Sequence, residues 1–375
     1  MANVAGDART AAHSSYAPPP VGGARRSASA APVWRLLALL LVIAPLCALY
    51  GIARRDVVDV NEAQRLQPAI EMLERGDYIV PTLDGERYLS KPPLIYWVAA
   101  GAFRIAGAPS ALAGRVPVAI ACLLIAAALG AIGWRTAGAR VGLWSAIILL
   151  SSFYFRARAR ETELDPLLTG AVLGAVYGQW LAVVRARWLR PALLAGICAG
   201  LALLLKGPVL FLFLLASTLA IAVVERPALR RVLAPLGLIL GVGAAIFLPW
   251  GVALLARVGA GELWATLQNE SLTRLTTATR INSGPPWFYV ESVAASFLPW
   301  SWLIPFWASP TLRRDLRASA SSWLRVTGLF AAAALVLFSL VAGKETEYLM
   351  PIYPFLALLA AAALDWLVRA DAPLA

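Results

Sequence analysis

The chain has 375 residues, of which 60% are hydrophobic and 14% charged, and its mean hydropathy is +0.72. This composition excludes a soluble globular domain and predicts an integral membrane protein. The formal net charge of +12 and the pI of about 10.2 raise the separate question of a nucleic-acid partner, which depends on where the cations lie.

The N-terminal segment, residues 1–31, is rich in Ala, Ser, Gly and Pro and lacks apolar periodicity. It predicts a disordered cytoplasmic tail. A cleaved signal peptide is the alternative, but the first apolar run is long and follows an extended polar segment, which favours a retained anchor.

Apolar runs then follow one another along the chain, each long enough to cross a hydrocarbon core of about 30 Å. They predict an all-α, polytopic membrane protein with about ten transmembrane helices. The domain would extend over 32–369, with 370–375 as a cytoplasmic end. The predicted spans are 32–50, 116–134, 141–155, 164–184, 192–205, 209–224, 233–256, 287–308, 326–342 and 349–368.

The excess of cations lies on one side of the predicted membrane. With the N-terminus in the cytoplasm, the inner connections carry the whole excess charge of +12 and the outer connections are neutral. The excess therefore has a topological explanation, and no nucleic-acid partner is predicted. This orientation places the first long loop, residues 51–115, outside the membrane, facing the periplasm or the exterior.

That outer loop contains several polar candidates. Apolar residues at helical spacing over 61–75 predict an amphipathic helix on the outer membrane surface. Asn61 with Gln64 resembles a capping box, so Asn61 has either a capping role or a direct catalytic role. Asp59 and Glu62 flank the helix start, where backbone amides favour anions. Each is either a solvated acid or a catalytic one.

Three further charged sites lie at the predicted outer ends of spans. A carboxylate at the position of Asp165 is unfavourable unless it is paired or faces water. Lys206 directly precedes a Gly-Pro break, and snorkelling to the interface is its alternative interpretation. Arg158, with Arg156 and Arg160, lies outside against the inward bias of cations, which predicts contact with an anion such as a lipid phosphate.

Histidine and cysteine chemistry is not predicted. The only histidine, His13, lies in the tail, and Cys47, Cys122 and Cys198 fall within predicted spans. A thiol there is usually a small buried hydrophobe. Neither a metal site nor a cofactor is expected.

Eight segments, in this order, resemble the glycosyltransferase family that includes protein O-mannosyltransferases and the aminoarabinose transferase that modifies lipid A. The resemblance covers about residues 33–368. The segments are DVNEAQRLQPAIEML (59–73), GDYIVPTLDGERYLSKPPLIYW (76–97), ETELDPLLTG (161–170), LLLKGPV (203–209), FLPW (247–250), NESLTRLT (269–276), GPPWFYVESVAASFLPW (284–300) and GKETEYLMPIYPFLALL (343–359).

The resemblance implies a GT-C fold whose first outer loop forms two juxtamembrane helices over a cavity. It also implies a polyprenyl-phosphate-linked sugar as donor and a lipid, glycan or protein as acceptor, with inversion at the anomeric carbon. The predicted protein is thus an inverting glycosyltransferase of the bacterial cytoplasmic (inner) membrane. The alternative is a lipid-linked-sugar transporter or a catalytically altered accessory protein of the same fold.

Such chemistry needs a carboxylate to accept or orient the acceptor's proton and cations to stabilise the departing lipid phosphate. Asp165 matches a polar family position at the cavity edge and is a candidate catalytic acid together with Asp59 and Glu62. Four candidate phosphate ligands match family positions near the lipid phosphate: Lys91, Lys206, Lys344 and Tyr348. Arg65 and Arg158 are two further candidates.

One position departs from the family pattern. The family usually begins the first outer helix with Asp-Glu and has an Arg three residues after the Asp, and those places here hold Asn61, Glu62 and Gln64. Asparagine cannot act as a base. Either Asp59 or Glu62 substitutes, helped by Arg65, or the activity is altered.

Overall fold

The computed structural model describes residues 50–54, 56–268, 284–318 and 321–370, and these are mostly helical. The predicted tail and nearly all of the first predicted span lie outside the described residues, as does the segment 269–276. The α-helices, numbered in chain order, are α1 Val60–Arg75, α2 Leu94–Ala106, α3 Ala111–Ala137, α4 Ala139–Ser151, α5 Phe153–Arg158, α6 Leu164–Val184, α7 Leu189–Lys206, α8 Val209–Glu225, α9 Leu229–Val258, α10 Ala260–Leu267, α11 Phe288–Ser296, α12 Pro310–Ala318, α13 Trp323–Leu340 and α14 Tyr353–Ala370.

The first long loop contains two helices, α1 and α2, as the resemblance implies. Helix α1 begins after Asp59, whose carboxylate accepts a hydrogen bond of 2.8 Å from the Asn61 N–H, and it ends at Gly76 with φ +67°. The predicted helix over 61–75 is therefore confirmed. Because Asp59 is the N-cap, the capping interpretation of Asn61 is wrong.

A short hairpin joins the two loop helices. Its strands, β1 Thr82–Leu83 and β2 Glu86–Arg87, pair antiparallel around Asp84 and Gly85, which both have positive φ. Such an Asp-Gly pair suits a two-residue hairpin turn. Glu71 of α1 anchors the hairpin because its carboxylate accepts the Asp84 N–H at 2.7 Å and the Thr82 hydroxyl.

Six helical segments in the described part are long and apolar enough to cross a membrane, and three shorter apolar helices accompany them. The chain is thus a multi-pass membrane protein, as its composition predicts. The count of ten spans stays a prediction. The six segments are Ala111–Ala137, Leu164–Val184, Leu189–Lys206, Leu229–Val258, Trp323–Leu340 and Thr346–Arg369, the last of which joins a 3-10 helix, Thr346–Ile352, to α14.

One predicted span is not a continuous helix. The residues of 287–308 form α11 and then a 3-10 helix, Trp300–Ala308. Pro299 and Pro305 lie in this stretch. A proline has no N–H to donate and its ring clashes with the preceding turn, so the pair disfavours one regular α-helix across this stretch.

Close backbone contacts hold the helices together. Helices α3 and α4 meet at Gly130 and Gly142, where a Cβ on Gly142 would lie 2.4 Å from the Gly130 carbonyl oxygen. Small residues permit this approach, which is typical of membrane helix pairs. Helix α14 contacts α4, α13 and the 3-10 helix Trp300–Ala308, and most of its residues are buried.

The direction of the helices defines two ends of the bundle. Helix α6 begins at the end where Asp165 meets Lys206, the last residue of α7. The loop segment around Lys91 contacts the same end, which we call the loop end. Val184 and Glu225, the last residues of α6 and α8, lie at the opposite, far end. With a rise of about 1.5 Å per residue, the two ends are about 30 Å apart.

Candidate functional site

A cavity of about 420 Å³ opens at the loop end. Helices α7, α8, α9 and α10 line it together with the loop segment before α2. Most of its wall is apolar, with Phe211, Phe247 and Trp250 among the lining side chains. The polar side chains that line it are Ser90, Lys91, Lys206, Thr266 and Tyr348. Three of the six phosphate ligands proposed from sequence, Lys91, Lys206 and Tyr348, therefore line one cavity.

Lys206 lies in the wall of this cavity and does not snorkel to the surface. Its side chain is only 10% exposed, and its Nζ lies 2.6 Å from Oδ1 of Asp165. The same ammonium lies 5.0 Å from the centre of the Tyr348 ring. Gly207, with φ +65°, ends α7 immediately after this lysine. The Gly-Pro break thus leaves the ammonium beside the cavity instead of continuing the helix past it.

Lys91 approaches the cavity from the loop side. Its Nζ donates to the backbone oxygen of Ser90 at 3.2 Å and to the Ser90 hydroxyl at 3.1 Å. The side chain is half-buried. Pro92 and Pro93 follow it and hold the chain in the turn that starts α2. Two lysines from distant parts of the sequence thus contribute to one wall.

A buried ionic cluster surrounds the Asp165 and Lys206 pair. Glu163, directly before α6, and Glu347 both lie within electrostatic range of Asp165, and Arg65 lies beside Glu163. Burial raises the pKa of Glu163 to about 7, helped by the Asp165 and Glu347 carboxylates and opposed by Arg65. Glu163 is therefore an acid whose pKa lies well above its ordinary value of 4.5.

Arg65 has hydrogen-bonding capacity that the fold leaves unused. Burial lowers the pKa of Arg65, but the Glu163 carboxylate and the Tyr96 and Tyr88 phenols outweigh it, so the guanidinium stays charged. Its Nε and Nη1 are buried and have no hydrogen-bond partner, and the Tyr96 hydroxyl is in the same condition. Buried donors of this kind are rare in proteins. Neither Arg65 nor Tyr96 is among the residues that line the cavity.

Glu62 is held by a network that joins the loop to the bundle. Its carboxylate accepts from Arg115 Nε at 2.7 Å, from Arg115 Nη2 at 2.6 Å and from the Thr162 N–H at 2.8 Å. Both charged side chains are only 2% exposed. A bidentate arginine pair of this kind has a defined geometry. These contacts favour a structural role for Glu62.

Asp59 and Arg158 form a second, more accessible network. Arg158 Nη1 lies 2.7 Å from Asp59 Oδ2 and 2.9 Å from Glu161 Oε2. Burial alone would raise the pKa of Asp59, but the Arg158 guanidinium and the Asn61 N–H lower it below its ordinary value. A carboxylate with a lowered pKa is a weak base, and Arg158 already contacts two carboxylates.

Lys344 and Asn61 also lie apart from the cavity lining. Lys344 is buried and donates to the carbonyls of Ser339 at 3.0 Å and Val341 at 2.7 Å, at the end of α13. Of these residues, Val341 lines the cavity. The backbone of Asn61 serves the α1 cap described above. The structure therefore brings Lys91, Lys206, Tyr348 and Asp165 together and leaves Lys344 and Asn61 at the periphery.

The sequence reasoning overlooked Glu163, Glu347 and Arg115. The first two lie within the quoted motifs ETELD and GKETEY, so a systematic search of those motifs for acids would have found them. Arg115 had no such signal because its partner Glu62 is 53 positions away. Within the described part of the chain, no group of three or more His, Cys, Asp or Glu residues is arranged as a metal site.

The family model of the dolichyl-phosphate-mannose-protein mannosyltransferases matches residues 90–252. The undecaprenyl phosphate-alpha-4-amino-4-deoxy-L-arabinose arabinosyl transferase of Pectobacterium carotovorum is 27% identical over 342 residues, which cover 88% of this chain and 59% of the relative. The corresponding enzyme of Pseudomonas paraeruginosa is 29% identical over 334 residues, which cover 87% of this chain and 59% of that relative.

The crystal structure of ArnT from Cupriavidus metallidurans bound to undecaprenyl phosphate superposes with a TM-score of 0.78 at 24% identity, covering 90% of this chain and 61% of that one. The chain has the GT-C fold. The resemblance expected from the eight segments is thereby confirmed. The archaeal oligosaccharyltransferase AglB from Archaeoglobus fulgidus, in complex with an inhibitory peptide and a dolichol-phosphate, superposes with a TM-score of 0.61 at 14% identity. The match covers 90% of this chain and 51% of that one. This chain spans about three fifths of the length of the curated relatives it matches.

Proposed function

We propose that the protein is a glycosyltransferase that moves a sugar from a polyprenyl-phosphate-linked donor to an acceptor at the loop end. One observation carries this proposal: Lys91, Lys206 and Tyr348 lie together in the wall of a cavity that is otherwise mainly apolar. The donor's phosphate fits the two ammonium groups, and its prenyl chain fits the apolar remainder. The relatives described above are transferases of an undecaprenyl-phosphate-linked sugar, which supports the same assignment.

The two lysines would act on the leaving group. When the bond between the sugar and the lipid phosphate breaks, negative charge develops on the phosphate oxygens. Cations fixed in a water-poor site stabilise that charge more than water does, because they need no reorganisation. Asp165 holds the Lys206 ammonium in position at 2.6 Å. The cavity thus combines a recognition element and a catalytic one.

The acceptor is best explained as a phosphate group on a lipid or glycan. A hydroxyl acceptor needs a base with a pKa near the working pH. Asp59 has a lowered pKa, and Glu62 is held by Arg115. Glu163 has a pKa of about 7, but it is buried and does not line the cavity. A phosphate monoester, with a second pKa of about 6, is already ionised at neutral pH and needs no base. The acids proposed from sequence, Asp59, Glu62 and Asp165, would then orient cations and the acceptor.

We place the protein in the bacterial cytoplasmic membrane with its N-terminus inside and the loop end facing outward. The support is the distribution of the +12 charge, which leaves the outer connections neutral. A reporter fused after Arg187 should be cytoplasmic, and one inserted within residues 76–87 should be external. A cytoplasmic reporter in 76–87 would contradict both the orientation and the external position of the site.

The decisive experiment measures donor binding and sugar release by the full-length protein in lipid, with an undecaprenyl-phosphate-linked aminoarabinose as donor. We expect Lys91→Ala to weaken binding of undecaprenyl phosphate by about 10- to 100-fold, since a hydrogen bond to a charged group contributes about 1.5–3 kcal/mol. Lys91 is a better target than Lys206, because removing Lys206 would leave Asp165 buried without its cation.

Arg87→Ala is the matched control. Arg87 is a cation of the same loop, exposed and paired with Glu262, and it does not line the cavity. Unchanged binding and transfer in Lys91→Ala, or an equal loss in Arg87→Ala, would refute the phosphate site. Donor binding without sugar release would favour the alternative of an accessory or transport protein.

A further inference from the structure

A second cavity, of about 440 Å³, lies at the far end of the bundle. It forms where the end of α6, at Val184, meets the connection from α8 to α9. We call it the far pocket. Three arginines line it, Arg226, Arg230 and Arg231, and the function proposed above assigns them no task.

The three guanidiniums of the far pocket have no carboxylate partner among the described residues. None of them forms an ion pair or a side-chain hydrogen bond there. Glu225 also lines the pocket, but its Oε1 accepts from Trp180 Nε1 at 2.9 Å and from the Ser322 hydroxyl. That carboxylate is therefore engaged in helix packing. The lining residues retain a formal excess of two positive charges, which suits an anion.

Apolar side chains that face outward surround the far pocket. Leu229, between Arg226 and Arg230 in sequence, is 71% exposed, and Val223 and Leu233 are also exposed. In a membrane protein, exposed aliphatic residues of a spanning helix contact acyl chains. Cations beside such a surface lie at the depth of lipid head groups. The anion that best fits both features is a phosphate attached to acyl chains.

We propose that the far pocket binds the phosphate head group of an anionic phospholipid, in the leaflet opposite the Lys91 and Lys206 cavity. Guanidinium groups suit this ligand because their planar N–H donors match two phosphate oxygens at once. Basic pockets between membrane helices recognise such head groups. The alternative is that these arginines only set the topology of the protein, as inner cations generally do. The proposal does not rest on the transferase activity.

The test titrates the purified full-length protein in mild detergent with phosphatidylglycerol, phosphatidylcholine or inorganic phosphate, and counts bound lipid by native mass spectrometry. We expect phosphatidylglycerol to bind at least about tenfold more tightly than phosphatidylcholine. The double variant Arg230→Gln/Arg231→Gln should lose most of that preference, with a rise of about tenfold in Kd. Lys91→Ala should retain this lipid, which separates the far pocket from the loop-end cavity.

Arg185→Gln/Arg187→Gln is the matched control, because it removes the same charge from the same end at exposed positions that do not line the far pocket. We expect its Kd to change by less than about threefold. An equal loss of phosphatidylglycerol affinity in the two double variants would mean that only the overall positive charge of this end matters, and it would overturn the proposal. Displacement of the lipid by equimolar inorganic phosphate would overturn it too, in favour of a soluble anion.

Arg226 offers a variant that removes a charge without disturbing the backbone. Its φ is +47°, in the left-handed region that favours glycine. Arg226→Gly should therefore fold at least as stably as the wild type in phosphatidylcholine, yet bind phosphatidylglycerol severalfold more weakly. Full retention of phosphatidylglycerol affinity in both Arg226→Gly and the Arg230/Arg231 double variant would refute the site.

Discussion

The two ends of the helix bundle differ in whether their cations are paired with carboxylates. At the loop end, the side chains of Lys206 and Arg115 are at most 10% exposed, and each contacts a carboxylate at 2.6 Å. At the far end, Arg226, Arg230 and Arg231 are exposed and have no such partner among the described residues. A charge removed from water is tolerated only when it is paired, whereas a charge at the membrane boundary remains hydrated and needs no partner.

This difference separates the two kinds of site. The paired cations of the loop end have fixed positions before any ligand binds, as a catalytic site requires. The arginines of the far end keep their conformational freedom and can adapt to a mobile head group. The free energy of unfolding should therefore be sensitive to single charge substitutions at the loop end and nearly unaffected by them at the far end.

The largest effect on stability should come from Glu62→Gln. The substitution keeps the size of the side chain but removes the carboxylate that forms the bidentate pair with the buried Arg115 guanidinium. Removing one partner of a buried pair costs about 3–5 kcal/mol. Reversible unfolding in mixed micelles should show a loss of that order, while the fraction that stays folded should transfer sugar at nearly the wild-type rate.

Glu262→Gln is the control for this substitution. It makes the same chemical change in the exposed pair with Arg87, whose side chain is 52% exposed, and such pairs contribute about 0–1 kcal/mol. If Glu62→Gln instead folds like the wild type and abolishes transfer, Glu62 returns to the catalytic acids and the structural interpretation of its network fails.

A pH-dependent effect should distinguish Glu163. Its pKa in the folded protein is about 7, raised from an ordinary value of 4.5 by burial. The folded state therefore binds this proton more tightly than the unfolded state, and stability falls as pH rises from about 4.5 to about 7. Glu163→Gln removes the ionisable group and with it this pH-dependent loss of stability. Its stability relative to wild type should increase across this window and stay level above it, and a pH-independent difference would contradict the assignment.

A smaller effect should follow from substitutions at Asp59, the N-cap of α1. Asp59→Ala should destabilise the protein by about 1 kcal/mol through loss of the cap. Asp59→Asn keeps a capping side chain and removes only the charge that faces Arg158. Equal melting temperatures but a transfer rate reduced by about 10²-fold or more in Asp59→Asn would identify Asp59 as the base. A reduction of less than threefold would exclude it.

The smallest effect on stability should come from the far end. Arg230→Gln alters an exposed side chain without a partner in the described structure and should change the free energy of unfolding by less than about 0.5 kcal/mol. A loss comparable to that of Glu62→Gln would contradict the comparison between the two ends.

Several features of the site could be predicted from local signals. The helix over 61–75 follows from its periodicity, and the common site of Lys91, Lys206 and Tyr348 is implied by the family resemblance. The network of Glu62 could not be predicted, because Arg115 becomes its neighbour only when α3 packs against the loop. The break within 287–308 was missed although Pro299 and Pro305 were visible, because hydropathy alone does not report helix continuity.

The sequence by itself determined the class of the protein, its alternation of spans and loops, and the family resemblance of its motifs. These depend on local composition and order, since the bilayer selects apolar runs of sufficient length. Tertiary structure alone decided which charges are paired. Glu62 became a buried structural acid and Glu163 an acid with a near-neutral pKa because helix packing sets how much water and which counter-charges surround each carboxylate.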